Sequence, residues 1–346
     1  MSARVAVVVT ARPSWAKLQP VCEALRERGI EIDLIACGYA LTHTRSGVVD
    51  AMAQDGWTPT TRLYAAIDAN TLESSALTTG LLTIRLAGHF ETTRPRGVII
   101  CADRHETLAA SISAAYLNIP ILHLQGGELS GSIDSKVRWA NTHLSDWHAV
   151  SNHAAYARLT SAGVPLNRIW ITGCPSVDVA RLSKDDPLMT RDELDRHGTG
   201  ASVDPQQPFS LVMMHPTTTH PDTSVDDMHE ALFYALDKGL PLIVFWPGAD
   251  AGMDEAGKYY RTRQWRTARF LRSLPPRRFM KLLSQAAYGV GNSSALIREA
   301  SYFGIPRMIV GDRQQGREWT EQPSMLYGDG YAAPRIAEIC QIMVNT

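Results

Sequence analysis

The run Val5-Ala6-Val7-Val8-Val9 is followed at once by Thr10-Ala11-Arg12-Pro13-Ser14 and then by a helical pattern to about Arg28. Gly29 stops that helix, and residues 30–36 form the next apolar run. An unbroken Val/Ile/Leu run, rather than an alternating one, marks a strand covered on both faces, and such strands belong to parallel sheets flanked by helices. The same unit recurs outward from here. Gly97–Cys101 reads as a strand, residues 106–117 as a helix, Ile121–Leu124 as a strand, and residues 149–151 and 169–172 as two more. In the second half, strands are expected at 210–214, 242–246, 288–290 and 308–310, with helices at 225–236, 279–287 and 294–303. A polar stretch at 183–208, rich in Asp, Gly and Pro, has the composition of a boundary segment. The pattern predicts an α/β chain of two doubly wound, Rossmann-like domains facing a cleft, with ligands beyond the carboxyl ends of the strands.

Composition narrows the function. The chain has 346 residues, 45% hydrophobic and 20% charged, which suits two packed domains and excludes disorder as the main state. With 34 Lys+Arg against 35 Asp+Glu, the net charge is -1, so no global field favours nucleic acid. An anionic ligand must instead be met by local donors. The five cysteines are far apart and form no C-x-x-C, which argues against a disulfide framework or zinc site and for a reducing cytosol. Residues 1–9 do not read as a secretory signal, and no apolar stretch reaches the roughly 18 residues of a membrane span.

The residues just after each strand carry the candidate chemistry. Arg12 and Lys17 follow the first strand, where cations near a helix start can meet phosphate or carboxylate; solvated charges beside a capped helix are the alternative. Asp103 and Arg104 follow Gly97–Cys101, and Asp103 reads either as a helix cap or as a proton-transfer group. Gln125-Gly126-Gly127-Glu128 and then Ser130-Gly131-Ser132-Ile133-Asp134, with Arg138, follow Ile121–Leu124. The glycines admit close backbone approach, and Glu128 and Asp134 form a candidate acid–base pair unless the loop is merely polar surface. His123 reads as a core histidine. His215 stands at a strand end, fixed by Pro216. The five-residue spacings of His215 and His220, and of His143, His148 and His153, fit no usual metal site. Gly291-Asn292-Ser293-Ser294 lies between a strand and a helix and exposes backbone N–H groups and two hydroxyls, a natural diphosphate site. Glu299, a turn and a half on, reads as a ribose ligand or a solvent-facing helix residue. Arg313 and Arg317 follow the last strand. The seven arginines of 261–278 read as a solvated helix face near a subunit interface.

In order along the chain, Ala11-Arg12-Pro13, Ala102-Asp103-Arg104, Leu124-Gln125-Gly126-Gly127-Glu128, Ser132-Ile133-Asp134 with Arg138, Gly173-Cys174-Pro175 with Asp178, His215-Pro216, Gly291-Asn292-Ser293-Ser294 with Glu299, and Asp312-Arg313-Gln314 with Gly316-Arg317 resemble the UDP-N-acetylglucosamine 2-epimerases. The likeness is greatest to the hydrolysing branch of sialic-acid and nonulosonate pathways. The resemblance implies the GT-B fold. It implies a sugar-side domain at 1–178, a linker at 179–208, a UDP-side domain at 209–330 and a helix at 331–346 crossing back to the first domain. It also implies Asp103, Glu128, Asp134 and His215 as catalytic residues. Arg12, Arg104, Ser293, Ser294, Glu299 and Arg313 would hold UDP, and Lys17, Gln125 and Arg138 the sugar. The implied reaction removes the C2 proton as UDP leaves C1, giving a glycal to which water adds, and it needs neither cofactor nor metal. A UDP-sugar would be the only ligand, without nucleic acid or membrane, in a homodimer or homotetramer. The alternatives are a non-hydrolysing epimerase, a GT-B glycosyltransferase or an inactive nucleotide-sugar binder. The chain departs from the family pattern at Ala102 (usually Gly), Gln125 (Glu in some relatives), Trp139, His143, Asp146 and Gly248. Those departures suggest a sugar other than plain N-acetylglucosamine.

Overall fold

The computed structural model describes residues 4–42, 47–67, 69, 71–217, 223–247, 258, 260 and 265–346. His220 and Gly248 lie outside them, as do Arg261 and Arg263 of the arginine run. The chain divides into two compact units. The first comprises residues 1–128, 134–178 and 328–346; the second comprises 129–133 and 179–327.

The first unit is built on seven parallel strands: β1 (Arg4–Val9), β2 (Glu31–Cys37), β3 (Thr61–Leu63), β4 (Gly97–Cys101), β5 (Ile121–Leu124), β6 (Trp147–Val150) and β7 (Ile169–Ile171), in the order β3-β2-β1-β4-β5-β6-β7. Residues 5–9 of β1 are fully buried, as an apolar run at the centre of a doubly covered sheet must be. Successive side chains of a strand face opposite ways. Val5, Val7 and Val9 therefore pack with Trp15, Leu18, Val21 and Leu25 of helix α1 (Arg12–Glu27). Ala6 and Val8 pack on the other face. Their neighbours there are Leu82, Leu86 and Phe90 of α3 (Leu72–Thr93), which follows the short α2 (Val48–Gln54), and Ala109, Ala110 and Ala114 of α4 (His105–Tyr116). The helices α5 (Asp134–Leu144), α6 (His153–Ser161) and α7 (Pro175–Ser183) follow.

The second unit has the order β13-β12-β9-β10-β11-β8. Its strands are β8 (Gly198–Gly200), β9 (Ser210–Met213), β10 (Leu242–Phe245), β11 (Ala268–Leu271), β12 (Tyr288–Gly291) and β13 (Arg307–Ile309), and only β8 is antiparallel among the described pairings. Its helices begin with α8 (Arg191–His197), α9 (Ser224–Asp237), α10 (Pro276–Gln285) and α11 (Arg298–Phe303).

Two expectations are corrected here. Residues 179–208 are not a linker, because they contain α8 and the edge strand β8 and belong to the second unit. Nor is 261–278 one helix face. Arg269 is a buried residue of β11 whose guanidinium donates to the carbonyls of Asp195, Gly198 and Gly200, locking β8 against β11. Arg277 and Arg278 pair with Asp186 and Glu193.

The chain ends in α12 (Ala332–Asn345), which packs Ile336, Ala337, Cys340 and Met343 into the core on the α1 side of the first sheet. Its first turn has free backbone N–H groups, like that of any helix. Asp178 meets two of them, accepting from Ala332 N at 2.9 Å and Ala333 N at 2.7 Å. Among the described residues, no helix is long and apolar enough to cross a membrane.

Candidate active site

In each sheet the strand order reverses beside the strand that begins the pattern, and ligands of open α/β sheets bind at such a point. In the first sheet β1 lies between β2 and β4, so the reversal is flanked by the residues after β1 and β4. Arg12 begins α1 there. Burial lowers the pKa of its guanidinium, and the nearby Asp55 carboxylate partly offsets this. Asp55 in turn accepts from Trp15 Nε1 at 2.8 Å. Lys17 is half-buried on the same helix, a turn and a half later.

Asp103 follows β4 in a turn opened by Ala102, whose φ is +67°. Its carboxylate is ion-paired with Arg138 of α5, a guanidinium that is almost wholly buried. Arg138 Nη1 also donates to the Glu128 carbonyl at 2.6 Å. The fully buried Glu128 carboxylate accepts from Ser151 Oγ at 2.7 Å. Asp134 opens α5 four residues before Arg138, so both lie on one helix face. One arginine thus ties the turn after β4 to the loop after β5, pairing with the Asp103 carboxylate and the Glu128 carbonyl. The loop can follow this path because Gly127 has φ +76°, and a Cβ there would lie 2.6 Å from Ala155 O.

Two residues expected at the sugar and the phosphate are engaged elsewhere. Arg104 turns to Glu106, with Nε 3.0 Å from Oε2, and its guanidinium carbon lies 5.8 Å from the Tyr39 ring centre. Burial alone would raise the Glu106 pKa, but Arg104, His105 and the Glu106 backbone N–H together hold the carboxyl below its ordinary value. Gln125, with φ +65°, is buried. Its Nε2 donates to Cys174 Sγ at 2.8 Å, and that sulfur is 2.8 Å from Ser176 Oγ. Trp139 packs on Val150, Ala155 and Leu159. The Asp146 carboxylate accepts from Ile121 N at 2.9 Å. Neither of these departures joins the Asp103 group.

In the second sheet, β9 lies between β12 and β10, so the reversal is flanked by the residues after β9 and β12. His215 follows β9, and Asn292 and Ser293 follow β12. Asn292, fully buried, clasps His215 at both backbone polar groups: Oδ1 accepts from His215 N and Nδ2 donates to His215 O, each at 2.8 Å. The Asn292 carbonyl accepts from Arg313 Nη1 at 3.2 Å and from Gln314 Nε2 at 2.8 Å. His215, Arg313 and the serine turn are therefore joined through Asn292, a residue given no role by sequence reasoning though it stands inside the quoted motif. Ser293 caps a single 3₁₀ turn (Ser294–Leu296), its Oγ accepting from Ala295 N at 3.3 Å. The expected helix at 294–303 is thus broken at Ile297, and α11 starts after it. Glu299, buried on α11, keeps Oε2 without a hydrogen-bond partner among the described residues, a carboxylate oxygen available to a ligand hydroxyl. Gly291 has φ +143°, and a Cβ on it would meet Met213 O at 2.1 Å. Gly291→Ala is expected to destabilise the second unit by about 2 kcal/mol or more. An unchanged denaturation midpoint would contradict that geometry.

The sequence profile of the UDP-N-acetylglucosamine 2-epimerases matches residues 23–322. The chain belongs to that family. Among relatives of this family member, a Legionella pneumophila "UDP-N,N'-diacetylbacillosamine 2-epimerase (hydrolyzing)" is 30% identical over 282 residues, covering 74% of this chain and 72% of the relative. A Neisseria meningitidis UDP-N-acetylglucosamine 2-epimerase is 28% identical over 321 residues, covering 91% and 81%. The crystal structure of Methanocaldococcus jannaschii UDP-GlcNAc 2-epimerase with UDP-GlcNAc and UDP superposes with a TM-score of 0.79 at 15% identity, covering 98% of this chain and 99% of that one. That likeness extends the epimerase fold over nearly the whole family member.

Proposed function

We propose that this enzyme is a hydrolysing nucleotide-sugar 2-epimerase that converts a UDP-linked 2-acetamido sugar into its free 2-epimer and UDP. The observation that carries the reading is the Asp103–Arg138 ion pair, whose buried guanidinium also holds the Glu128 carbonyl, with Asp134 one turn before Arg138 on α5. A C2 proton on an N-acetylhexosamine is weakly acidic, so its removal must accompany loss of the C1 substituent. One carboxylate takes the C2 proton while the C1–O bond breaks and its electron pair leaves with UDP. A C1=C2 double bond forms. Water then adds its hydroxyl at C1, and a proton is delivered to C2 from the opposite face. The second unit serves the nucleotide end: Ser293, Ser294 and Arg313 meet the diphosphate, Glu299 the ribose, and His215 stands beside them as proton donor to the leaving group. Donors aimed at developing negative charge are among the largest contributors to catalysis.

The Gly-Gly-Glu and Ser-Ile-Asp segments and the hydrolysing relative favour water as the acceptor at C1. That relative's diacetylated substrate also makes a 4-acetamido, 6-deoxy sugar a leading candidate beside N-acetylglucosamine. The test is a proton and phosphorus NMR time course in D₂O with UDP-N-acetylglucosamine and UDP-N,N'-diacetylbacillosamine. Free sugar deuterated at C2, with equimolar UDP, is expected from at least one of them. An intact epimeric UDP-sugar would refute hydrolysis. Replacing Ser293 and Ser294 together with Ala is expected to weaken UDP binding by about 10-fold or more, since two hydroxyl contacts to a charged ligand are lost; calorimetric affinities equal to the parent would remove the serine turn from the site.

A further inference from the structure

We propose that Asn141 is a positioning residue: it holds the Asp103 carboxylate in place by gripping the backbone on both sides of it. Asn141 lies on α5, fully buried, one turn beyond Arg138. Its Nδ2 reaches the Ala102 carbonyl at 3.4 Å and Thr107 Oγ1 at 2.8 Å. Thr107 Oγ1 passes its own hydrogen to the Arg104 carbonyl at 2.5 Å. Ser111 Oγ donates to Asn141 Oδ1 at 2.8 Å, and the Ala102 carbonyl, which can only accept, fixes which way the amide faces. His123 Nε2 adds a second grip on the Ala102 carbonyl at 3.0 Å. The carbonyls on either side of Asp103 are thus held by one buried chain of donors.

The turn needs that grip. Ala102 sits at φ +67°, where its Cβ crowds the following backbone, and an L residue stays there only if its surroundings compel it. Released, Ala102 would return to an ordinary conformation and swing Asp103 with it. The helix that supplies the counter-ion of Asp103 also supplies the clamp, so α5 fixes the carboxylate from two directions. A buried polar network whose members are satisfied is stiff, which is what a reacting group requires.

This inference rests on the catalytic role proposed for Asp103, and the experiment separates the two. Asn141→Leu removes the donors at similar volume. It is expected to lower kcat by about 10-fold or more while leaving KM within about 2-fold, because a misplaced reacting group costs rate rather than binding. The same substitution in an Ala102→Gly background is expected to cost about 3-fold or less, because glycine adopts positive φ without strain. Should Asn141→Leu not fold, Asn141→Asp keeps the Ser111 contact, loses the Nδ2 donors, and enters the same cycle. An equal loss in both backgrounds, or none in a folded variant, overturns the inference. Turnover retained in Asp103→Asn would sink the role of Asp103 and this inference with it. An inactive Asp103→Asn beside a fully active Asn141 variant would sink this inference alone.

Discussion

Replacing Asp103 by Asn is expected to lower turnover by ~10² or more, the usual cost of losing a positioned proton-transfer group, while leaving UDP binding intact. The amide keeps the size of the side chain and cannot take a proton from carbon. It also cannot neutralise Arg138, whose guanidinium is buried and ion-paired with Asp103. A melting measurement therefore accompanies the assay, because a buried arginine deprived of its carboxylate counter-ion Asp103 lowers stability as well. The two effects are distinguishable. Loss of fold would abolish calorimetric UDP binding, whereas loss of the proton-transfer group would leave it. Glu128→Gln and Asp134→Asn are expected to behave alike in turnover, and normal rates in all three variants would disprove the site.

The second large effect is acid lability of the first unit. His123 on β5 and His148 on β6 are register partners on neighbouring strands. Burial lowers His123 to about 4, against a gain from its bond to the Ala102 carbonyl. Burial, with the His123 charge adding to it, lowers His148 to about 3. Both are neutral in the native protein near pH 6. The unfolded chain, with histidines near 6.5, takes up protons first as the pH falls. A folded pKa below the unfolded one means that stability is complete above about 6.5 and drains away as the pH drops towards the folded values. Each histidine contributes a slope of up to about 1.4 kcal/mol per pH unit in that window. Between pH 7 and pH 5, unfolding free energy is therefore expected to fall by a few kcal/mol, with uptake of one to two protons on unfolding near pH 5.5. Identical denaturant curves at pH 7 and pH 5 would contradict this burial.

The strands most legible in the sequence are those whose side chains face helices on both sides. Val5 to Val9 and Ile121 to Leu124 are fully buried, and nothing but apolar residues suits such positions, apart from the histidine held at 123. The least legible strands are short or bear a charge. Thr61–Leu63 has three residues; Gly198–Gly200 is a glycine-threonine edge; Ala268–Leu271 contains Arg269, whose charge is absorbed by carbonyls far away in sequence. The 22-residue α3 carries no clear helical signature, because Leu72, Leu77, Leu81 and Ile84 are exposed and blur its apolar stripe.

At the candidate site, residue chemistry was readable and residue aim was not. Asp103, Glu128, Arg138, Ser293 and Arg313 stand out as candidates by their place after strands, and the roles expected of them come from the resemblance to the epimerase family. Whether Arg104 meets a phosphate or Glu106, and whether Gln125 faces a sugar or Cys174, hinges on turns at Ala102 and Gln125 that place non-glycine residues at positive φ. Such turns are sustained by partners dozens of residues away, as with Asn141 for Ala102 and Cys174 for Gln125. Local order along the chain settles which groups exist at a sheet edge, because apolar runs and glycine breaks act over a few residues. The direction in which each group points is settled by long-range hydrogen bonds and packing, which carry no local signature.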